Sequence, residues 1–205
     1  MIIDPCNHEP RSIYKLMTGA IVPRPIAFVS SVGSDGVHNL APFSFFAGVS
    51  ADPPVICFCP MIRSSDGKKK DTLHNIEATG EFVVNVVSEE LVAQMNICSG
   101  EYPPDVDEFA LSGLTPVGSD LVKPPRVKEA RISMECKLHQ IIPVSDRPLG
   151  ASIVLGEILR FHIQDELFDN FKIDPDRLRP VGRMGGPTYT RTRDRFDLER
   201  PKKQG

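Results

Sequence analysis

Apolar and polar positions along this chain repeat mostly at the spacing of strands, with a few stretches at helical spacing. Residues 24–32 are apolar and β-branched enough for a strand, Ser34-Asp35-Gly36 carries turn chemistry, and residues 37–46 return as a second strand. Pro42 interrupts that return; a proline donates nothing to a ladder, so the strand must bulge or lie at a sheet edge there. Residues 55–59 form a short apolar strand between prolines, and residues 81–87 place Phe82, Val84 and Val86 on one face. Residues 130–144 and 151–163 alternate, and Asp146-Arg147-Pro148-Leu149-Gly150 joins them as a long antiparallel hairpin. Helical spacing predicts a short helix over 11–18 ended by Gly19. A second helix begins at 71 with Asp71 or Thr72 as cap, carries Leu73, Ile76 and Glu77 on one face, and stops at Gly80. A third is capped by Ser88, points Leu91, Val92, Met95 and Cys98 inward, and sets Glu89 and Glu90 at its positive end. Residues 101–125 are a proline-rich excursion with a helical piece at 107–112; 165–178 holds a helical fragment and 181–189 a glycine-rich loop. The pattern is that of a β-barrel or sandwich with peripheral helices.

Composition refines this picture modestly. A chain of 205 residues with 19 prolines and 15 glycines suits one domain of short strands and loops better than a helical bundle. The net charge of −3 exerts no overall pull towards nucleic acid or membrane. It conceals an asymmetry, because residues 172–205 hold ten Lys and Arg against five Asp and Glu. We take residues 1–190 as the domain and 191–205 as a basic tail, whose alternating signs read as a solvated segment. The five cysteines lack paired spacings for a disulfide framework or zinc site, and Cys57 and Cys59 read as small buried apolar residues on one strand face. The polar start resembles no signal peptide and no apolar run reaches membrane-spanning length, so the expected location is cytoplasmic.

Three places could carry chemistry. In Ser64-Ser65-Asp66-Gly67-Lys68-Lys69-Lys70-Asp71-Thr72, hydroxyls and a cation stand beside a helix N-terminus, whose free N–H groups favour an anion. Ordinary capping in a solvated loop accounts for the same residues, and the Walker spacing for nucleotide hydrolysis is missing. The second place is Asn39, Ala41, Pro42, Phe43, Ser44, Phe45 and Phe46, with Ser30 and Ser31 across the hairpin. Backbone groups freed by the proline and flanking rings can hold a flat ligand there, although strand aromatics also serve as core. The third is Arg183 with Gly185, Gly186 and Tyr189, either a site loop or a glycine-rich turn with a surface arginine. The five histidines, His162 among them, show no metal-ligand spacing, and no metal is expected.

The segments PRPIAFVSS, NLAPFSFF and SSDGKKKDTLHNI, with VLGEILRFHI and the late VGRMGGPTY, resemble the flavin reductase-like family of FMN-binding split barrels, most closely its flavoredoxin-like branch. This resemblance implies a mainly β, Greek-key split barrel that dimerises, with flavin sites near the subunit interface. It implies FMN as cofactor and carries Arg24, Ser30, Ser31, Asn39, Ala41, Pro42, Phe43, Ser44, Phe45, Ser64, Ser65, Lys70, Asp71, Thr72, His162, Arg183, Gly185 and Tyr189 over as cofactor-binding residues. Lys70 stands at the family's Lys-Asp-Thr position, and His162 at a position near the cofactor or nicotinamide. The implied activity is hydride transfer from NADH or NADPH to flavin N5, then delivery of electrons to free flavin, a metal ion or a protein partner. No general acid or base is expected from the protein. An FMN-binding electron-transfer or sensor module without its own NAD(P)H site is the alternative. The absent Rossmann GxGxxG fits both.

Overall fold

A computed structural model describes residues 1–201. The first turn of regular structure that matters is α1 (Pro10–Ala20), which runs one residue past Gly19 before the chain turns at Ile21. The antiparallel strands that follow are β1 (Ala27–Val32), β2 (His38–Phe43), β3 (Phe46–Ala51) and β4 (Pro54–Phe58). After them come α2 (Asp71–Thr79), β5 (Glu81–Val86), α3 (Val92–Ile97) and α4 (Glu108–Ser112). Two short strands, β6 (Pro116–Val117) and β7 (Arg126–Val127), pair before the long hairpin of β8 (Ile132–Pro143) and β9 (Ser152–Ile163). The chain then forms β10 (Phe168–Asp169) with β11 (Lys172–Ile173), the short α5 (Pro175–Leu178), and β12 (Val181–Arg183) with β13 (Tyr189–Arg191).

Seven strands form one sheet in the order β2-β1-β5-β8-β9-β4-β3, every pair antiparallel. Its two edges, β2 and β3, are consecutive in the chain and separated only by Ser44 and Phe45. The sheet therefore curls until its ends meet at that corner. Phe43 of β2 packs against Phe58 of β4 with ring centroids 5.1 Å apart, though four strands intervene in the ladder. Ala27, Val29, Phe43, Phe58, Phe82, Val84, Met134 and Val154 fill the interior together with Leu73 and Ile76 of α2. Gly156 is required for this packing, since a Cβ there would run into the Phe82 ring. A second apolar layer, built on Phe28, Leu40, Leu91, Met95 and Phe109, seats α3 and α4 outside the barrel. The architecture is mainly β with peripheral helices, as the residue pattern predicts.

Several boundaries differ from that pattern for local reasons. The return strand stops at Phe43, and the chain bends through Ser44 and Phe45 into β3, an exposed edge strand that the alternation does not reveal. Pro42 lies in the edge strand β2, one of the two places open to it. Lys70, not Asp71 or Thr72, is the N-cap of α2, and Glu77 is exposed while Thr72 and Asn75 are buried beside Leu73 and Ile76. The third helix begins only at Val92, because Ser88 pairs with Pro180 and Glu89 and Glu90 bind arginines. The glycine-rich stretch is a hairpin, and the 190/191 boundary falls inside β13. Residues 191–195 are tied down: Arg191 and Arg193 pair with Glu89, and Arg195 with Asp176. Residues 202–205 of the basic tail lie outside the described residues. Cys57 and Cys59 are half-buried, less enclosed than their apolar reading implies. Among the described residues no helix is long and apolar enough to cross a membrane.

Candidate functional site

The corner where β2 ends is also where α1, α2, α3 and the β12–β13 hairpin converge. Two adjoining depressions lie over it and share Pro42 and Ser99. The first is polar. Asn39, Ala41, Pro42 and Phe43 form its floor, while Arg63, the α2 N-terminus, residues 98–102 and Glu108 form its walls. Asn39 is fixed there by three partners: its amide donates to Glu108 (3.0 Å), and its carbonyl accepts from Thr72 (2.6 Å) and Ser31 (3.3 Å). Burial raises the Glu108 pKa above the usual carboxylate range, opposed by the Leu40 N–H that donates to it.

The cationic groups of this end are not fully occupied. Arg63 pairs with Asp71 and, at 3.8 Å, with Asp66, yet among the described residues its buried Nε–H has no acceptor. Lys70 Nζ stands 3.9 Å from Glu101, whose other oxygen accepts from Ser65 at 2.6 Å. Among the described residues no side chain caps α2, whose first residues Asp71 and Thr72 line the cavity, while the Leu73 N–H bonds the Lys70 carbonyl at 3.0 Å. An anion placed there would meet a helix N-terminus and two cationic side chains.

The second depression, of about 290 Å³, is lined by Tyr14, Ile26, Pro42, Ser44, Met95, Ser99, Arg183 and Tyr189. Arg183 lies over the Tyr189 ring, 4.4 Å from its centroid, and donates to the Gly186 carbonyl at 2.7 Å. Tyr189 donates its hydroxyl hydrogen to Asn96 at 3.2 Å. Behind this wall sits Arg24, 4% exposed. Its guanidinium donates to the carbonyls of Thr18 (2.7 Å), Ile21 (2.6 Å) and Met184 (2.9 Å), and to Ser44 Oγ (3.2 Å). Burial draws its pKa down. Together the two depressions make one cleft, with a narrow end where Arg63 and Lys70 stand among Asp71, Glu101 and Glu108, and a wider end walled by an aromatic ring and an arginine.

The cleft gathers Asn39, Ala41, Pro42, Phe43, Ser44, Lys70, Asp71, Thr72, Arg183 and Tyr189. Arg24, Phe45, Ser65 and Gly185 stand one contact behind it. Phe45 packs edge-on to Tyr14, and Gly185 packs on the end of α1 beside Gly19. Ser64 is exposed in the preceding loop. Ser30 and Ser31 are fully buried and bond Pro125 and Asn39, so neither lines the cleft. His162 is also elsewhere. It bonds Glu135 at 2.5 Å beside a separate cavity, with Asp120 3.8 Å away. Arg160 holds Asp120, and the N–H groups of residues 120 and 121 hold Glu135, so this trio anchors the 118–121 loop. Ser99, Gly100, Glu101, Tyr102, Tyr14, Met95 and Glu108 enter the cleft from distant segments and carry no local motif; only Ser99-Gly100, ending α3, offers a turn signal.

The family model described as "Flavin reductase like domain" matches residues 18–181. Nitrilotriacetate monooxygenase component B from Bacillus cereus is 38% identical, with a TM-score of 0.92 over 97% of this chain and 98% of that one. The 2-nitrobenzoate 2-nitroreductase NbaA of Pseudomonas fluorescens is 35% identical, with a TM-score of 0.88 over 98% and 96% of the two chains. A split-barrel protein from Shewanella frigidimarina NCIMB 400, 23% identical, shares the fold at a TM-score of 0.84 over 98% of this chain and all of its own.

Proposed function

The chain belongs to the flavin reductase-like family, and from that premise we propose that it binds FMN along the β2 cleft and reduces it with NADH or NADPH. The observation that carries this reading is the cleft's polarity. Its narrow end offers the unpaired Arg63 Nε–H, Lys70 and the uncapped α2 N-terminus, a donor set suited to a terminal phosphate. Its wide end offers Pro42, Met95 and the Tyr189 ring as apolar wall, with Ser44 and Arg183 as polar groups. That combination of apolar wall and few convergent polar groups fits an isoalloxazine.

Lys70 and Arg63 are the residues that would hold the phosphate, in competition with Glu101 for Lys70. Arg183, held over Tyr189 and by Gly186, presents positive charge at the ring end, where it favours the more negative reduced ligand. Bound flavin would supply the chemistry itself: hydride acceptance from a nicotinamide and delivery of the electrons onward. The chain's own residues bind, orient and screen; none is required as general acid or base.

The acceptor is free flavin, a metal ion or a protein partner. A monooxygenase component among the similar structures supports a role as electron donor to a second reaction. Leu16, Met17 and Ile21 near the exposed α1 face and Val49 on edge strand β3 support a homodimer, which size-exclusion chromatography with light scattering would test. Steady-state oxidation of NADH and NADPH with added FMN tests the reductase reading. Turnover supports it, and a protein that binds FMN without turnover is an electron carrier instead.

A further inference from the structure

Ser44 lines the wide end of the cleft, and its hydrogen bonding is one-sided. The Nε–H of Arg24 donates to Ser44 Oγ at 3.2 Å. A guanidinium has no acceptor, so this contact takes a lone pair of the serine and leaves its O–H to donate elsewhere. Among the described residues that O–H has no acceptor. Arg24 cannot rotate away, because its other nitrogens are held by the Thr18 and Ile21 carbonyls at the end of α1 and by the Met184 carbonyl. The backbone of Arg24 also pairs in both directions with Arg183, at 3.0 and 2.8 Å. One buried side chain thus joins α1, the β2 corner and the β12–β13 hairpin, three of the elements that wall the wide end.

We propose that Arg24 is a positioning residue that fixes the Ser44 hydroxyl as a hydrogen-bond donor into the cleft, where it meets an acceptor atom of the flavin ring. The proposal rests on the flavin reading of the cleft and adds to it a direction. Ser44 donates, and Arg24 acts through Ser44 and never touches the ligand. Thr at position 44 keeps the donor, whereas Ala removes it.

The test is a double-mutant cycle with Ser44→Ala and Arg24→Lys, read by FMN affinity from flavin fluorescence quenching and by the absorbance of the bound flavin. Ser44→Ala should weaken FMN about fivefold, the scale of one neutral hydrogen bond, and shift the visible bands, while Ser44→Thr should do neither. Arg24→Lys should weaken FMN by a similar factor when Ser44 is present and by less than twofold in the Ser44→Ala background. Equal losses in both backgrounds would make Arg24 a general structural residue and overturn the proposal. Should Arg24→Lys fail to fold, the serine pair still decides: Ser44→Ala indistinguishable from wild type in affinity and spectrum refutes it. Wild-type protein that takes up no FMN would overturn the underlying flavin reading, a separate and recognisable outcome.

Discussion

Lys70→Ala is the perturbation that most sharply probes the narrow end of the cleft. The Lys70 side chain is 27% exposed, and among the described residues its one ion-pair partner is Glu101, at 3.9 Å, too long for a hydrogen bond. A phosphate in the cavity would therefore gain a charge-assisted contact at little cost in broken pairing. Such contacts contribute about 1.5–3 kcal/mol, and the exposure of Lys70 places it near the lower end, about 1.5–2 kcal/mol. At about 1.4 kcal/mol per decade, Lys70→Ala should weaken FMN about 10–30-fold. Glu101→Gln should act oppositely and tighten FMN by about two- to fivefold, since it removes the carboxylate competing for Lys70. Riboflavin lacks the phosphate, so its affinity should be the same for wild type and Lys70→Ala. Fluorescence titration of both flavins measures all of these values. Equal loss of riboflavin and FMN, or no loss of either, would refute the assignment of Lys70 to a phosphate.

Other parts of the structure make separate predictions. Gly156→Ala would set a Cβ against Phe82 and should cost about 1–3 kcal/mol by overpacking, visible as a lower thermal midpoint. Phe58, fully buried between Phe43 and Phe82 with centroids 5.1 and 5.4 Å away, should lose about 3–5 kcal/mol on replacement by Ala, measured by urea denaturation. Arg193 foremost, with Arg179 and Arg191, holds the Glu89 pKa at about 2, below its ordinary value of 4.5. A depressed carboxylate stabilises the folded state above its unfolded pKa, so this attachment should persist above about pH 4.5 and be lost as pH falls towards 2. Glu89→Gln should release the arm at neutral pH, and trypsin should then cleave after Arg191 and Arg193 several times faster.

Legibility in the sequence followed how local each cause is. The β1–β2 hairpin was readable because Ser34-Asp35-Gly36 is a turn in its own right, with Gly36 at φ 85°. The long β8–β9 hairpin announced itself by alternation over both arms. Strand β3 did not, since Phe46–Ala51 is an exposed edge with no buried face to impose a pattern. The spacing places the start of α3 too early, because Ser88 and Glu89 serve partners about 90 residues away, around Pro180 and Arg179. Within the cleft, Asn39 and Ser44 lie in one legible segment and Lys70 and Thr72 in another, and the fold brings the two together. Glu101, Glu108, Tyr14 and Met95 join only through tertiary packing. Ser30 and Ser31 share a recognisable segment with the cleft residue Ile26, but lie buried on other partners, while the segment of His162 lines a separate cavity.

The most direct test of the account is the visible absorbance of the purified protein, before and after anaerobic addition of NADH or NADPH. The account predicts a flavin spectrum, present on purification or restored by FMN, that bleaches when the nicotinamide is added. A protein that stays colourless at micromolar FMN would contradict it.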